Sequence, residues 1–133
     1  MSASSEKNPS PNRPLLVYVV DDNFALTRMA EIILTGEGFQ CHTFCDPAQV
    51  VAAFKRGSPH PDLLLTDYEM GSMNGLELIE HCRREKPDLK AILISGTVKP
   101  ESLLDQPVKV DYFMSKPYLP AELVRAVKSL FTE

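Results

Sequence analysis

The chain has 133 residues, 44% hydrophobic and 24% charged, the composition of one ordinary globular domain and too little chain for a second core. A formal net charge of −4 with no basic stripe argues against nucleic-acid binding by this chain alone. No apolar run reaches the roughly 18 residues that span a bilayer, and no signal-peptide layout is present, so no membrane association and a cytoplasmic location are expected. Cys41, Cys45 and Cys82 are odd in number and lack zinc-like spacing, which predicts buried or half-buried free thiols in a reducing compartment.

Residues 1–13 are Ser, Asn, Pro and charged residues with almost no apolar side chain. Such a stretch does not offset the entropy of ordering, and a disordered tail is expected ahead of a domain at 14–133. Residues 15–20 form a continuous apolar, β-branched run ended by acids, which predicts a strand buried on both faces. A helix follows, capped by Asn23 or Asp22, with Phe24, Met29, Ile32 and Ile33 at helical spacing and Gly36 and Gly38 as its stop. Residues 39–44 predict a second strand. Asp46-Pro47 reads as an N-cap with Pro at the first helical position, opening a helix over 48–55 that ends at Gly57.

Residues 63–66 predict a third strand, 75–84 a third helix, 91–95 a fourth strand, 110–115 a fifth, and 121–131 a last amphipathic helix. Between the fourth and fifth strands, Pro100 and Pro107 limit any helix to a turn or two, ending by Asp105. Pro107 lacks an N–H and pushes Gln106 out of the α region. Leu103 and Leu104 are expected to anchor this turn on the sheet, and the segment is expected to be mobile.

Strands alternating with helices imply right-handed β-α-β units, hence a doubly wound α/β fold with a five-stranded parallel sheet and helices on both faces. Ligands of such sheets sit outside the carboxyl ends of the strands. Asp21 and Asp22 follow the first strand, Asp67 the third, Ser95 the fourth and Lys116 the fifth. Each alone could be a cap or a turn former. Together, carboxylates a few Å apart repel by about 4 kcal/mol per pair at an effective dielectric of about 20. A divalent cation would neutralise them, and Mg²⁺ (or Mn²⁺) suits carboxylates plus waters with positions left for a phosphate oxygen. Asp67 then becomes a candidate nucleophile toward phosphorus, Lys116 a counter-charge for the transferring group, and Ser95 a hydrogen-bond donor to it.

The pair Asp21-Asp22, the segment Leu65-Thr66-Asp67-Tyr68-Glu69-Met70-Gly71-Ser72-Met73-Asn74-Gly75, the pair Ser95-Gly96 and Lys116-Pro117 resemble the receiver domains of bacterial two-component response regulators, of the chemotaxis-regulator type. The likeness covers residues 15–131. It implies a flavodoxin-like sheet of order 2-1-3-4-5, here with a shortened fourth helix. It also implies phosphorylation of Asp67 by a sensor histidine kinase or phosphotransfer protein, with output by docking to a downstream protein. Asp22, Asp67 and the backbone carbonyl of Glu69 would bind the Mg²⁺ directly, and Asp21 through a coordinated water. Ser95 and Lys116 would hold the phosphoryl group, and Phe113 is the aromatic residue that would turn inward on activation. Such a protein is not an enzyme beyond its own phosphorylation and dephosphorylation. Gly71 departs from the family, which usually has Pro there, so a more mobile loop is expected.

The residues discriminate among rivals. A flavin binder of the same fold needs a hydroxyl- and Gly-rich loop after the first strand, where Asp21-Asp22 would repel the cofactor phosphate. A haloacid-dehalogenase-type phosphatase needs Asp-x-Asp there, whereas this chain has Asp21-Asp22-Asn23-Phe24. The alternative that stays open is a receiver-like docking module acting independently of phosphorylation. Ending at Glu133, just past the last predicted helix, the chain reads either as a stand-alone receiver, which Met1 and its polar tail favour, or as a piece of a larger regulator. A monomer or weak dimer is expected, because the shortened helix reduces a surface through which receivers commonly pair.

Overall fold

The computed structural model describes residues 13–57 and 59–131. The predicted disordered tail thus lies outside the described residues, save Arg13. That side chain pairs with Asp62 through both guanidinium nitrogens at 3.2 Å.

The elements run β1 (Leu16–Val20), α1 (Phe24–Gly36), β2 (Gln40–Phe44), α2 (Pro47–Lys55), β3 (Leu63–Asp67), α3 (Gly75–Glu85), β4 (Lys90–Ser95), β5 (Tyr112–Ser115) and α4 (Pro120–Ser129). All strand pairs are parallel and the order is β2-β1-β3-β4-β5. In β1 and β3 every residue is buried, as their unbroken apolar runs require of strands covered on both faces. The pleat sends alternate residues to opposite layers. Tyr18, Val20, Leu64 and Leu93 meet α2 and α3, whereas Val17, Val19, Leu65 and Ile94 meet α1 and α4. Leu63, Leu64 and Leu65 have no exposed surface, and each contributes about 1.5–3 kcal/mol of hydrophobic stabilisation.

Local signals set the helix ends. Asn23 caps α1 through Leu26 N, and Asp46 caps α2 with Pro47 in the first turn. α3 opens on a full capping box, in which Asn74 and Glu77 each accept the other's backbone N–H at 2.9 Å. After α2 the chain turns at Gly57, whose φ of +101° suits only a residue without Cβ.

Four expectations change. α1 buries Thr27, Ala30 and Leu34, while Phe24 and Ile32 are 68% and 61% exposed and Met29 also faces solvent. The 95–110 connection holds only a single 3₁₀ turn, Pro100–Leu103. Leu103 packs on the core, but Leu104 is 76% exposed and anchors nothing. β5 starts two residues later than predicted, because the Asp111 carboxylate accepts the Ala91 N–H at 2.8 Å in place of a backbone carbonyl. Of the free cysteines, Cys82 is buried and Cys41 half-buried, but Cys45 is exposed. Burial pushes the Cys82 and Cys41 thiols up to about 12.

Candidate phosphoryl and metal site

The strand register carries the site. Val20 of β1 lies beside Thr66 of β3, Asp67 beside Ile94 of β4, and Ser95 beside Ser115 of β5, so Asp21, Asp67, Ser95 and Lys116 all emerge at one edge of the sheet. Each is then pinned by its neighbours. Asp21 donates its N–H to the Phe44 carbonyl at 3.2 Å, and Lys116 donates its own to the Ser95 carbonyl at 2.9 Å. The Asp67 carbonyl accepts the Thr66 hydroxyl at 2.9 Å, and Tyr68 bridges the Ile94 carbonyl to the Gly75 N–H. Gly75 opens α3 against this strand end. A Cβ there would stand 2.5 Å from the Asp67 carbonyl oxygen and 2.6 Å from Leu93 Cδ1, so only glycine allows the approach.

The structure brings together the three predicted carboxylates: one oxygen each from Asp21, Asp22 and Asp67 lie within 4.8 Å of one another. Asp21 and Asp67 are buried, and Asp22 is exposed. Lys116 Nζ sits 3.2 Å from Asp21 Oδ2 and 3.1 Å from Asp67 Oδ1. The second contact is an ion pair, and Asp67 Oδ1 is buried with no hydrogen-bond partner beside it. Burial, then the neighbouring Asp21 charge, push the Asp67 carboxyl up to about 6, against the pull of Lys116; Glu69 adds to the rise. Burial works against the Lys116 ammonium, but its contacts with Asp67 and Asp21 outweigh this and hold it above its ordinary value.

Ser95 is 1% exposed, and its hydroxyl donates to the Glu69 carboxylate at 3.0 Å. Phe113 is half-buried on the layer of α2 and α3. Gly71 adopts φ of +80°, a value closed to Pro. Lys116–Pro117 is a cis peptide bond.

Sequence reading missed two neighbours of the site. Tyr118 is half-buried, and burial followed by the Asp21 charge raises its phenol above the ordinary value. Its signal was only its place two residues past Lys116. The Glu69 side chain, considered for its carbonyl alone, meets Ser95 and Thr97 across 26 and 28 residues of sequence. Between α1 and the start of α4, Phe24, Met29, Ile32 and Pro120 line an open apolar cleft of about 490 Å³.

The sequence and the fold are similar to those of known proteins. The family model for the response regulator receiver domain matches residues 17–128. The DNA-binding response regulator MtrA of Mycobacterium tuberculosis is 32% identical over 116 residues, covering 85% of this chain and 49% of MtrA. The chain thus spans about half the length of such curated relatives. The crystal structure of a CheY-like response regulator receiver domain protein from Methanospirillum hungatei superimposes with a TM-score of 0.81 at 24% identity, covering 90% of this chain and 94% of that one. A chain in the CheX-CheY-BeF3-Mg+2 complex from Borrelia burgdorferi gives 0.81 at 26% identity, covering 90% and 91%. With a family model spanning most of its length and relatives that agree in sequence and in fold, this chain belongs to the response regulator receiver domain family of two-component signal transduction.

Proposed function

We propose that the chain is a phosphorylation-dependent signalling domain in which Asp67 accepts a phosphoryl group in a Mg²⁺-dependent reaction. The observation that carries this reading is the state of Asp67. A carboxylate held at a strand end by its own backbone keeps one oxygen buried and free of hydrogen bonds, with a second and a third carboxylate beside it. Among the described residues, Lys116 is the one ammonium shared between Asp67 and Asp21, which leaves three clustered carboxylates short of positive charge, a shortage that a divalent cation would meet.

The donor set fits Mg²⁺. Both oxygens of Asp21 are engaged, one by the Asn23 N–H at 2.9 Å and the other by Lys116, which suits a role through a coordinated water. Exposed Asp22 and the Asp67 carboxylate, with the Glu69 backbone carbonyl, are the candidates for direct ligation. Bound there, the ion would offset charge on the equatorial phosphoryl oxygens. From a phosphohistidine donor, the Asp67 oxygen forms the new P–O bond as the P–N bond breaks, and the electron pair leaves with the imidazole. Lys116 stays within reach of the acceptor and turns its charge toward the transferred group, and Ser95 offers its hydroxyl.

A protein donor, a sensor histidine kinase or phosphotransfer protein, must cover the mouth of this site. The exposed apolar side chains Phe24 and Ile32, which line the cleft on α1, offer such a partner a surface to rest on. Output then passes to a downstream protein.

Incubation with acetyl phosphate, with and without Mg²⁺, tests the proposal by intact mass. One added phosphoryl group that requires Mg²⁺ and disappears in Asp67→Asn is expected. A folded, unlabelled wild type would favour instead a docking module that works without phosphorylation.

A further inference from the structure

The Ser95 hydroxyl has one proton and two acceptor positions, and all three are occupied. It accepts the N–H of Thr97 at 3.0 Å and of Val98 at 2.9 Å, and it spends its proton on Glu69 Oε2 at 3.0 Å. The Thr97 hydroxyl donates to the same Glu69 oxygen. One exposed side chain of the β3–α3 loop therefore ties down the loop after β4, at the residue best placed to touch a phosphoryl group.

We infer that the Glu69 carboxylate is an autoinhibitory latch, which occupies the Ser95 proton in the unphosphorylated protein and must be displaced for the phosphoryl group to take it. The inference rests on the reading of Asp67 as phosphoacceptor. A phosphoryl group on Asp67 competes for one hydrogen with a carboxylate that already holds it, and brings negative charge beside that carboxylate. The two anions do not share the donor stably, so Glu69 swings out. Its departure also releases the Thr97 hydroxyl, while the Thr97 and Val98 amides remain bound to Ser95 Oγ and follow its movement. The next residues form the 3₁₀ turn and the exposed Leu104. Loss of one carboxylate contact at the site thereby becomes a change of surface further along the β4–β5 connection, the differential interaction that a two-state switch requires. Glu69 touches no reacting atom in this scheme; it sets the equilibrium between the two states.

Hydrogen exchange over residues 96–104 in the ligand-free protein, together with beryllofluoride titration in Mg²⁺ followed by NMR, tests the latch in wild type, Glu69→Ala, Glu69→Gln and Glu69→Asp. In Glu69→Ala, exchange over this segment should rise several-fold without any ligand. Beryllofluoride should bind roughly tenfold more tightly, the scale of one lost competing charge-assisted hydrogen bond. Glu69→Gln, which still accepts hydrogen bonds but lacks the charge, should fall between. Glu69→Asp keeps the charge but not the reach, and should exchange like Glu69→Ala. Exchange over 96–104 unchanged in Glu69→Ala would overturn the latch, as would unchanged beryllofluoride affinity. Absence of any beryllofluoride binding by wild type would instead overturn the phosphoacceptor reading, and the ligand-free exchange would still decide whether Glu69 holds the loop.

Discussion

The Lys116 ammonium stands 3.1 Å from Asp67 Oδ1 without hydrogen-bonding it. Lys116 also reaches Asp21, so one cation is shared between two buried carboxylates and satisfies neither charge fully. The site is therefore short of positive charge in the metal-free protein.

That shortage has a pH signature. The folded-state pKa of Asp67 is raised, from an ordinary 3.8 to about 6, chiefly by burial and by Asp21. A carboxyl raised in this way contributes most to stability when protonated, below its unfolded value, and the contribution is lost as pH rises through about 6. Metal-free Asp67→Asn should therefore be more stable than wild type by about 1–2 kcal/mol at pH 7.5, with the gap closing toward pH 4. Added Mg²⁺ should stabilise wild type more than the variant. Thermal melts across pH with and without Mg²⁺ check both signs; a variant less stable than wild type at pH 7.5 without metal would be the wrong outcome.

Gly75 and Gly36 offer a matched pair. A Cβ at Gly75 would collide with the Asp67 carbonyl and Leu93, whereas one at Gly36 meets nothing within 4 Å. Gly75→Ala should cost about 1–3 kcal/mol through the forced shift of α3. Gly36→Ala, in the last turn of α1, should be neutral or stabilising by up to about 1 kcal/mol. Denaturant midpoints compare the two.

The α1 surface should matter only to a protein donor. Ile32→Glu places a charge on the exposed apolar face without touching the core. It should slow phosphorylation by a cognate kinase or phosphotransfer protein at least several-fold, yet leave labelling by acetyl phosphate unchanged. Equal loss with both donors would show that the substitution acts on the site itself.

Beyond β4, Leu103 and Leu104 should separate sharply. Leu103→Ala removes a side chain packed on the core and should cost about 2 kcal/mol, whereas Leu104→Ala should be silent in chemical denaturation. Amides of residues 97–110, with one 3₁₀ turn among them, should exchange faster than those of α4.

Much of this protein was legible in its sequence because the strongest signals are local. Runs such as Leu63-Leu64-Leu65 can be satisfied only by doubly covered strands, and the polar residues that end each run mark the sheet edge where the site assembles. Pro100 and Pro107 likewise limited any helix between β4 and β5 to a turn or two, and a single 3₁₀ turn forms there. The buried side of α1 was not legible. Its sequence carries apolar residues on more than one face, and the fold buries Thr27, Ala30 and Leu34. Thr27 tolerates this because its hydroxyl donates to the Phe24 carbonyl at 2.8 Å. Nor was the Glu69 contact with Ser95, because it depends on a side-chain rotamer and on two loops distant in sequence.

The central claim is that Asp67, and no other carboxylate, takes the phosphoryl group. Borohydride reduces an acyl phosphate to an alcohol, so treatment after acetyl phosphate and Mg²⁺ should convert the modified aspartate to homoserine, located by peptide sequencing. Homoserine at position 67, absent when Mg²⁺ is chelated, is the predicted result. Homoserine at Asp21 or Asp22, or none at all in a folded protein that binds Mg²⁺, would contradict it.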